Sequence, residues 1–186
     1  RFADNVRPLR TAQDRLSDAQ RDLARKKRGS NRRRKAVARV ASLHRKVKNV
    51  RKDHLHKVAR SYVDAYDLIV VEDLKVRNMT RSASGTVEEP GANVAQKSGL
   101  NRSILDAGWG VLLELLRQKA VEAVVAIVEV NPRNTSRTCH ACGHVAAENR
   151  CGEAFLCQRC GHSVHADTNA ARNILRLGLS LREAAA

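Results

Sequence analysis

Aromatic side chains are scarce in this chain, with two Phe, two Tyr and one Trp among 186 residues. So few rings argue against base stacking as the main way of holding a nucleic acid and leave backbone contacts as the favoured mode. Acidic residues are also scarce, but only at one end. Residues 1–60 hold 5 of the 19 acids and 21 of the 35 Lys and Arg, so the whole net charge of +16 belongs to that stretch. Such an arm suits a polyanion, because each phosphate it neutralises releases condensed counterions and no base is read in the process. No signal peptide that would send the chain to an oxidising compartment is expected. The first residue is Arg rather than Met, which reads as a fragment.

Within the arm, apolar residues recur at helical spacing over 10–27 (Leu16, Ala19, Leu23) and over 32–66 (Val40, Leu43, Val47, Val50, then Leu55, Val58, Tyr62). Gly29-Ser30-Asn31 punctuates them. Two antiparallel helices with a narrow apolar seam and basic outer faces are expected. Lys26, Lys27 and Arg28 precede the turn, and Arg32, Arg33, Arg34 and Lys35 follow it. A solvated charged turn and a nuclear localisation signal compete with nucleic-acid contact for these residues, and contact carries the most weight.

Five cysteines lie in the last third of the chain. Cys139-His-Ala-Cys142 and Cys157-Gln-Arg-Cys160 form two C-x2-C knuckles, each followed by a glycine, Gly143 and Gly161. The two-residue spacer lets both thiolates of a knuckle reach one ion, and the loop between the knuckles has the length zinc ribbons use. A disulfide pair or a redox C-x-x-C are the competing readings, and the tandem spacing argues against both. Four cysteines leave no open coordination position, so a structural Zn²⁺ is expected. Cys151 remains as a loop thiol, and His140, His144, His162 and His165 are substitute ligands for an ion already saturated.

After the second knuckle, Asp167 stands in the first turn of an expected helix, where an ordinary N-terminal cap is one reading. Its context adds another. Val130-Asn-Pro-Arg-Asn-Thr-Ser-Arg-Thr-Cys139, the following Cys-Gly-His-Val and Asp167-Thr-Asn-Ala-Ala-Arg-Asn173 resemble the zinc-ribbon end of the TnpB (OrfB) transposon-encoded proteins. Those are RNA-guided nucleases related to the type V CRISPR effectors. The resemblance implies that Asp167 is the last carboxylate of a RuvC-like nuclease site.

Asp67-Leu-Ile-Val-Val-Glu72-Asp73-Leu74 reads as a strand buried on both faces. Glu72 and Asp73 alternate across it, so at most one can serve a given site, and the spacing leaves open which, as well as whether either acid is merely a loop cap. The Val-Val-Glu-Asp-Leu run resembles the family's second RuvC motif, which implies Glu72. Residues 77–98 lack periodicity and read as a mobile loop. A helix is expected over 102–122, with Trp109 favoured as a packing anchor over a base-stacking platform, and a second strand over 124–130, giving a right-handed parallel crossover.

The expected fold is α/β: a partial RNase H-like (RuvC-like) core lacking its first strands, with a basic helical hairpin and an inserted four-cysteine zinc ribbon. Its divisions are a hairpin at 1–66, a core segment at 67–134, the ribbon at 135–165 and a final helix and tail at 166–186. The family's first-strand carboxylate would precede Arg1, and Asp4 is a poor substitute because no apolar strand surrounds it. The resemblance implies metal-assisted phosphodiester hydrolysis in the full-length parent, with Glu72 and Asp167 holding Mg²⁺, and this fragment inactive by itself. Arg137 and Arg172 are candidates for phosphate contact, or surface charges. DNA and a guide RNA are the implied partners, in a cytoplasmic, nucleoid-associated protein without a membrane segment. A non-catalytic zinc-ribbon protein that binds nucleic acid, a remnant or accessory of a mobile element, is the alternative.

Overall fold

The computed structural model describes residues 4–184 and divides the chain into two compact units. One holds the residues up to Ala65 together with Lys75–Lys119; the other holds Tyr66–Leu74 and the residues from Ala120 onward.

In the first unit, α1 (Pro8–Ala24) and α2 (Asn31–Val63) form the helical hairpin. Pro8 occupies the first position of α1, where its missing N–H would have had no intrahelical partner. Ser30 caps α2, its hydroxyl oxygen accepting the Arg33 N–H at 3.2 Å. The Arg33 guanidinium turns back onto the Leu23 and Lys26 carbonyls at 3.0 and 3.2 Å, which ends α1 at Ala24, earlier than the periodicity predicts. Buried positions are Pro8, Leu16 and Ala19 on α1 and Ala36, Val47, Leu55, Ala59 and Val63 on α2. Val50, expected in the seam, is exposed, because three residues past Val47 the helical turn has carried it off the buried stripe.

A third helix locks this hairpin. α4 (Val94–Ala107) presents Asp106, whose buried carboxylate accepts the Leu9 and Arg10 backbone N–H groups at 3.1 and 3.3 Å and pairs with Arg51 at 2.5 Å. One acid therefore caps the start of α1 and neutralises a cation from the middle of α2. The expected loop is shorter than its composition predicts, with a single helical turn α3 (Val76–Met79) and a bridge between Gly85 and Pro90 inside it. α4 begins at residue 94, and the single helix expected over 102–122 is broken at Gly108 (φ +72), after which α5 (Trp109–Ala123) starts. A Cβ at Gly108 would stand 2.8 Å from Leu55 Cδ1, a side-chain end that can shift, so it is the left-handed turn that calls for glycine. Trp109, at the first position after that break, keeps 39% of its surface and is not the buried anchor expected.

In the second unit, β1 (Leu68–Glu72) pairs in parallel with β2 (Ala126–Val130), Glu72 lying opposite Val130. β2 starts two residues later than expected, because Val124 adopts a left-handed φ of +57 as the chain leaves α5. Of β1 only Ile69 is buried and its neighbours are half-buried, so the strand is less covered than its run of apolar residues suggests. A second, antiparallel sheet of β3 (Arg150–Cys151), β4 (Ala154–Leu156) and β5 (Ser163–His165) follows, ordered β3-β4-β5. Phe155, Cys139, Cys157 and Ala166 form its small core. α6 (Ala166–Ala184) leaves directly from β5 and packs on the parallel pair, with Gly178 against Val70. A Cβ at Gly178 would lie 2.4 Å from a Val70 methyl carbon, so glycine sets how closely helix and strand approach.

Candidate metal centre and acidic site

The two knuckles have the same backbone. In each, the first cysteine donates its N–H to the carbonyl of a histidine five residues on (Cys139 to His144 at 2.8 Å, Cys157 to His162 at 2.9 Å). In each, the glycine four residues on donates back to the cysteine carbonyl (2.9 and 3.0 Å). Gly143 and Gly161 adopt φ of +75 and +72 to close these turns. All four Sγ atoms come within 4.8 Å of one another. Cys139 and Cys160 Sγ are 3.7 Å apart, and Cys142 and Cys157 Sγ 3.6 Å apart. A tetrahedron with metal–sulfur bonds of ~2.3 Å has edges of about 3.8 Å, so the thiols already stand at the spacing one ion requires, and too far apart for a disulfide.

The charges agree. Burial opposes ionisation of Cys157, but the N–H groups of Cys160 and Arg159, with the Cys160 and Cys142 thiols, outweigh it and bring its pKa down to about 6. For Cys160, the His162 N–H favours the thiolate, yet the Cys142 thiol, burial and the Cys157 and Cys139 thiols together push it up to about 12. Hydrogen bonds thus support one thiolate at the expense of the next, and a cation is what can hold all four. None of the four neighbouring histidines joins the cluster. His140 is held below its ordinary pKa by burial first, then by the charges of Arg172, Arg176 and His162.

Three buried asparagines brace this centre. Asn169, fully buried on α6, accepts the His140 N–H at 2.9 Å and donates to the Thr138 carbonyl at 2.7 Å. Asn173, one turn on, donates to the Thr138 and Thr135 carbonyls at 2.7 and 3.0 Å. Asn149 donates to the Arg137 and His144 carbonyls and accepts the Gln158 N–H, linking the two knuckles. Sequence reasoning assigned none of them a role. Asn169 and Asn173 stand four apart on one helical face, which is a legible signal; Asn149 has none.

The two candidate acids have separate partners. Glu72, at the carboxyl end of β1, accepts a hydrogen bond from the buried Thr135 hydroxyl at 2.6 Å. Asp167, exposed in the first turn of α6, pairs with Arg150 at 3.1 Å. Neither Thr135 nor Arg150 was singled out from the sequence, since contacts 63 and 17 residues long leave no periodic trace. Among the described residues, the four cysteines form the cluster of three or more metal-ligating side chains.

Of the candidate nucleic-acid contacts, Arg33 is used to cap α1, Lys26 pairs with Asp22 at 2.7 Å, and Arg34 bonds the Asn31 side chain. Lys27, Arg28, Arg32 and Lys35 stand exposed on the turn, and Arg137 and Arg172 are exposed in the second unit. No helix among the described residues is long and apolar enough to cross a membrane.

Comparison with known proteins matches residues 109–174 to the family described as "Cas12f1-like, TNB domain" and residues 1–83 to the OrfB family described as "Probable transposase". Over 174 residues, 93% of the chain, it is 45% identical to the "Putative RNA-guided DNA endonuclease InsQ" of Escherichia coli, of which it covers 43%. It is 34% identical over 179 residues to a similarly described protein of Streptomyces pristinaespiralis, covering 40% of it. The chain thus spans about two fifths of the length of these relatives. Among solved structures, the mini-RNA-guided endonuclease CRISPR-Cas_phi3 aligns with a TM-score of 0.53 at 25% identity, over 84% of this chain and 24% of that one. A Cas12f1–sgRNA–target DNA complex aligns with a TM-score of 0.54 at 22% identity, over 89% and 41%, a likeness of fold alone. The fold is mixed α/β and similar to that of the Cas12 nucleases.

Proposed function

The chain belongs to the TnpB/OrfB family, and from that premise we propose that it is a segment of an RNA-guided DNA endonuclease of a mobile element. In this reading Glu72 and Asp167 belong to an RNase H-like (RuvC-like) site that hydrolyses DNA phosphodiesters with Mg²⁺. The observation that carries it is topological. Glu72 ends a parallel strand at its carboxyl end, where α/β sheets hold ligands, and Asp167 opens the helix that packs on that strand. Bound Mg²⁺ would activate the attacking water and stabilise the leaving 3′ oxygen. The chain's own part is orientation. Thr135 fixes the Glu72 carboxylate by a charge-assisted bond, and Arg150 holds Asp167.

The four cysteines hold a structural Zn²⁺ in this reading, closed to substrate, whose task is to fold the ribbon so that α6 begins where Asp167 is needed. The hairpin (1–66), core segment (67–134), ribbon (135–165) and final helix (166–186) then serve as binding arm, acidic site, metal clamp and site-closing helix. Guide RNA and DNA are the partners, met at the exposed Lys27, Arg28, Arg32 and Lys35, with Arg137 and Arg172 as further phosphate contacts.

The test is Mg²⁺-dependent cleavage by a full-length protein containing this segment, loaded with guide RNA. Glu72→Gln or Asp167→Asn should each lower the rate by on the order of 100-fold or more while RNA binding and zinc content stay unchanged. Full-rate cleavage by Glu72→Gln would refute the assignment. The 186-residue chain alone is expected to bind nucleic acid without cutting it, as no third acid joins Glu72 or Asp167 among the described residues.

A further inference from the structure

A second concentration of positive charge lies at the start of α1, about 25 Å along that helix from the basic turn. There a cleft of about 580 Å³ opens between α1, α2 and α4, within the first unit. Gln13, Ser17 and Gln20 line one wall, on a single face of α1, and Arg7 and Arg10 also line the cleft. Arg102 and Ser103 of α4 line the other, and His44 of α2 lies between.

Three properties define what this cleft can hold. Its charge is uncompensated: Asp106 is the one lining carboxylate, and it is already occupied by Arg51 and by the first N–H groups of α1. Among the described residues Arg7, Arg10 and Arg102 have no ion pair, and all three are exposed. The surplus therefore faces the opening. The lining has no Phe, Tyr or Trp and His44 is its one ring, so polar contacts outnumber stacking surfaces, and the Gln and Ser side chains donate and accept hydrogen bonds as phosphates and sugar hydroxyls require. Finally, its volume equals a sphere about 10 Å across, within the ~300–1,000 Å³ range of small-ligand sites and enough for a stretch of one strand's backbone.

We infer that this cleft is a second nucleic-acid site, which grips the sugar–phosphate backbone of a single strand through Arg7, Arg10 and Arg102, separately from the basic turn. The inference rests on the nucleic-acid-binding part of the reading above and not on cleavage.

The experiment is fluorescence anisotropy of the 186-residue chain with labelled twelve-nucleotide oligo(U) and oligo(dT), titrated against salt. Arg10→Gln with Arg102→Gln removes two contacts, and for single strands each contributes about 0.7 to the log–log salt slope. The slope should fall by about 1.4 and affinity at 0.1 M salt by about 25-fold. Arg102→Gln alone should cost about fivefold. Gly99 also lines the cleft, and a Cβ there meets nothing within 4 Å, so Gly99→Phe should fill the recess with every charge kept and weaken binding too. Equal losses on both strands would assign the contacts to phosphate; larger losses with RNA would add the ribose hydroxyl. The control neutralises Lys27, Arg28, Arg32 and Lys35 on the turn. If that variant loses binding while the Arg10/Arg102 and Gly99 variants keep wild-type affinity and slope, the cleft proposal is overturned and the turn keeps its role.

Discussion

Replacing Asn169 and Asn173 singly and together tests whether α6 holds the metal knuckle in place. Asn169→Ala strands the His140 N–H, which has no other acceptor, and because the site excludes water the cost is that of a buried unsatisfied donor, about 1–3 kcal/mol. Asn173→Ala strands the Thr135 carbonyl at a similar cost. The Thr138 carbonyl behaves differently. It accepts from both amides at 2.7 Å, so either single variant leaves it satisfied and only the double variant orphans it. The double variant should therefore exceed the sum of the singles by a further ~1–3 kcal/mol. Metal binding and ordering of the ribbon are one event, so these energies appear as weakened metal affinity, with each ~1.4 kcal/mol worth tenfold. Competition of the zinc-loaded protein against a chromophoric chelator measures all three variants. Additivity within ~0.5 kcal/mol would refute the shared-carbonyl argument, and unchanged affinity in Asn169→Ala would refute the brace itself.

Purified, reduced protein should carry about one zinc per chain by elemental analysis, lost when Cys139 and Cys157 are both changed to Ser. Since the ion must displace the proton that neighbouring thiols keep on Cys160, affinity should fall as pH falls and binding should release protons, a balance that calorimetry in buffers of different ionisation enthalpy can read. Gly178→Ala should lower the melting temperature, because overpacking against Val70 costs about 1–3 kcal/mol and outweighs the gain of up to ~1 kcal/mol in helix propensity. Adding Val70→Ala should restore part of that loss. Asp106→Ala leaves the Arg51 charge with only the main-chain carbonyl of residue 106 and the first N–H groups of α1 without their acceptor, and should destabilise the first unit by about 3 kcal/mol in urea unfolding followed by circular dichroism.

The chain's local signals carried the elements whose cause is local. Paired C-x2-C spacing with trailing glycines determines a metal knuckle, because two residues and a left-handed turn are all the geometry it needs, and the structure brings those four thiols together. Helical periodicity and the Gly-Ser-Asn punctuation determined the hairpin, and the run Leu68–Glu72 determined a strand ending on an acid. What the tertiary structure alone decided are the things that depend on who arrives from elsewhere. The expected helix over 102–122 breaks at Gly108, where the backbone turns left-handed (φ +72) beside Leu55 and Arg51, residues far off in sequence. Arg33, which by composition is one more charge in a basic turn, is spent on the carbonyls that end α1. Glu72 meets Thr135 and Asp167 meets Arg150 across long stretches of chain, and Asp106 joins three helices through one carboxylate. Periodicity and spacing report only on neighbours along the chain, whereas a hydrogen bond or a steric limit between distant segments exists only once folding has placed its second partner.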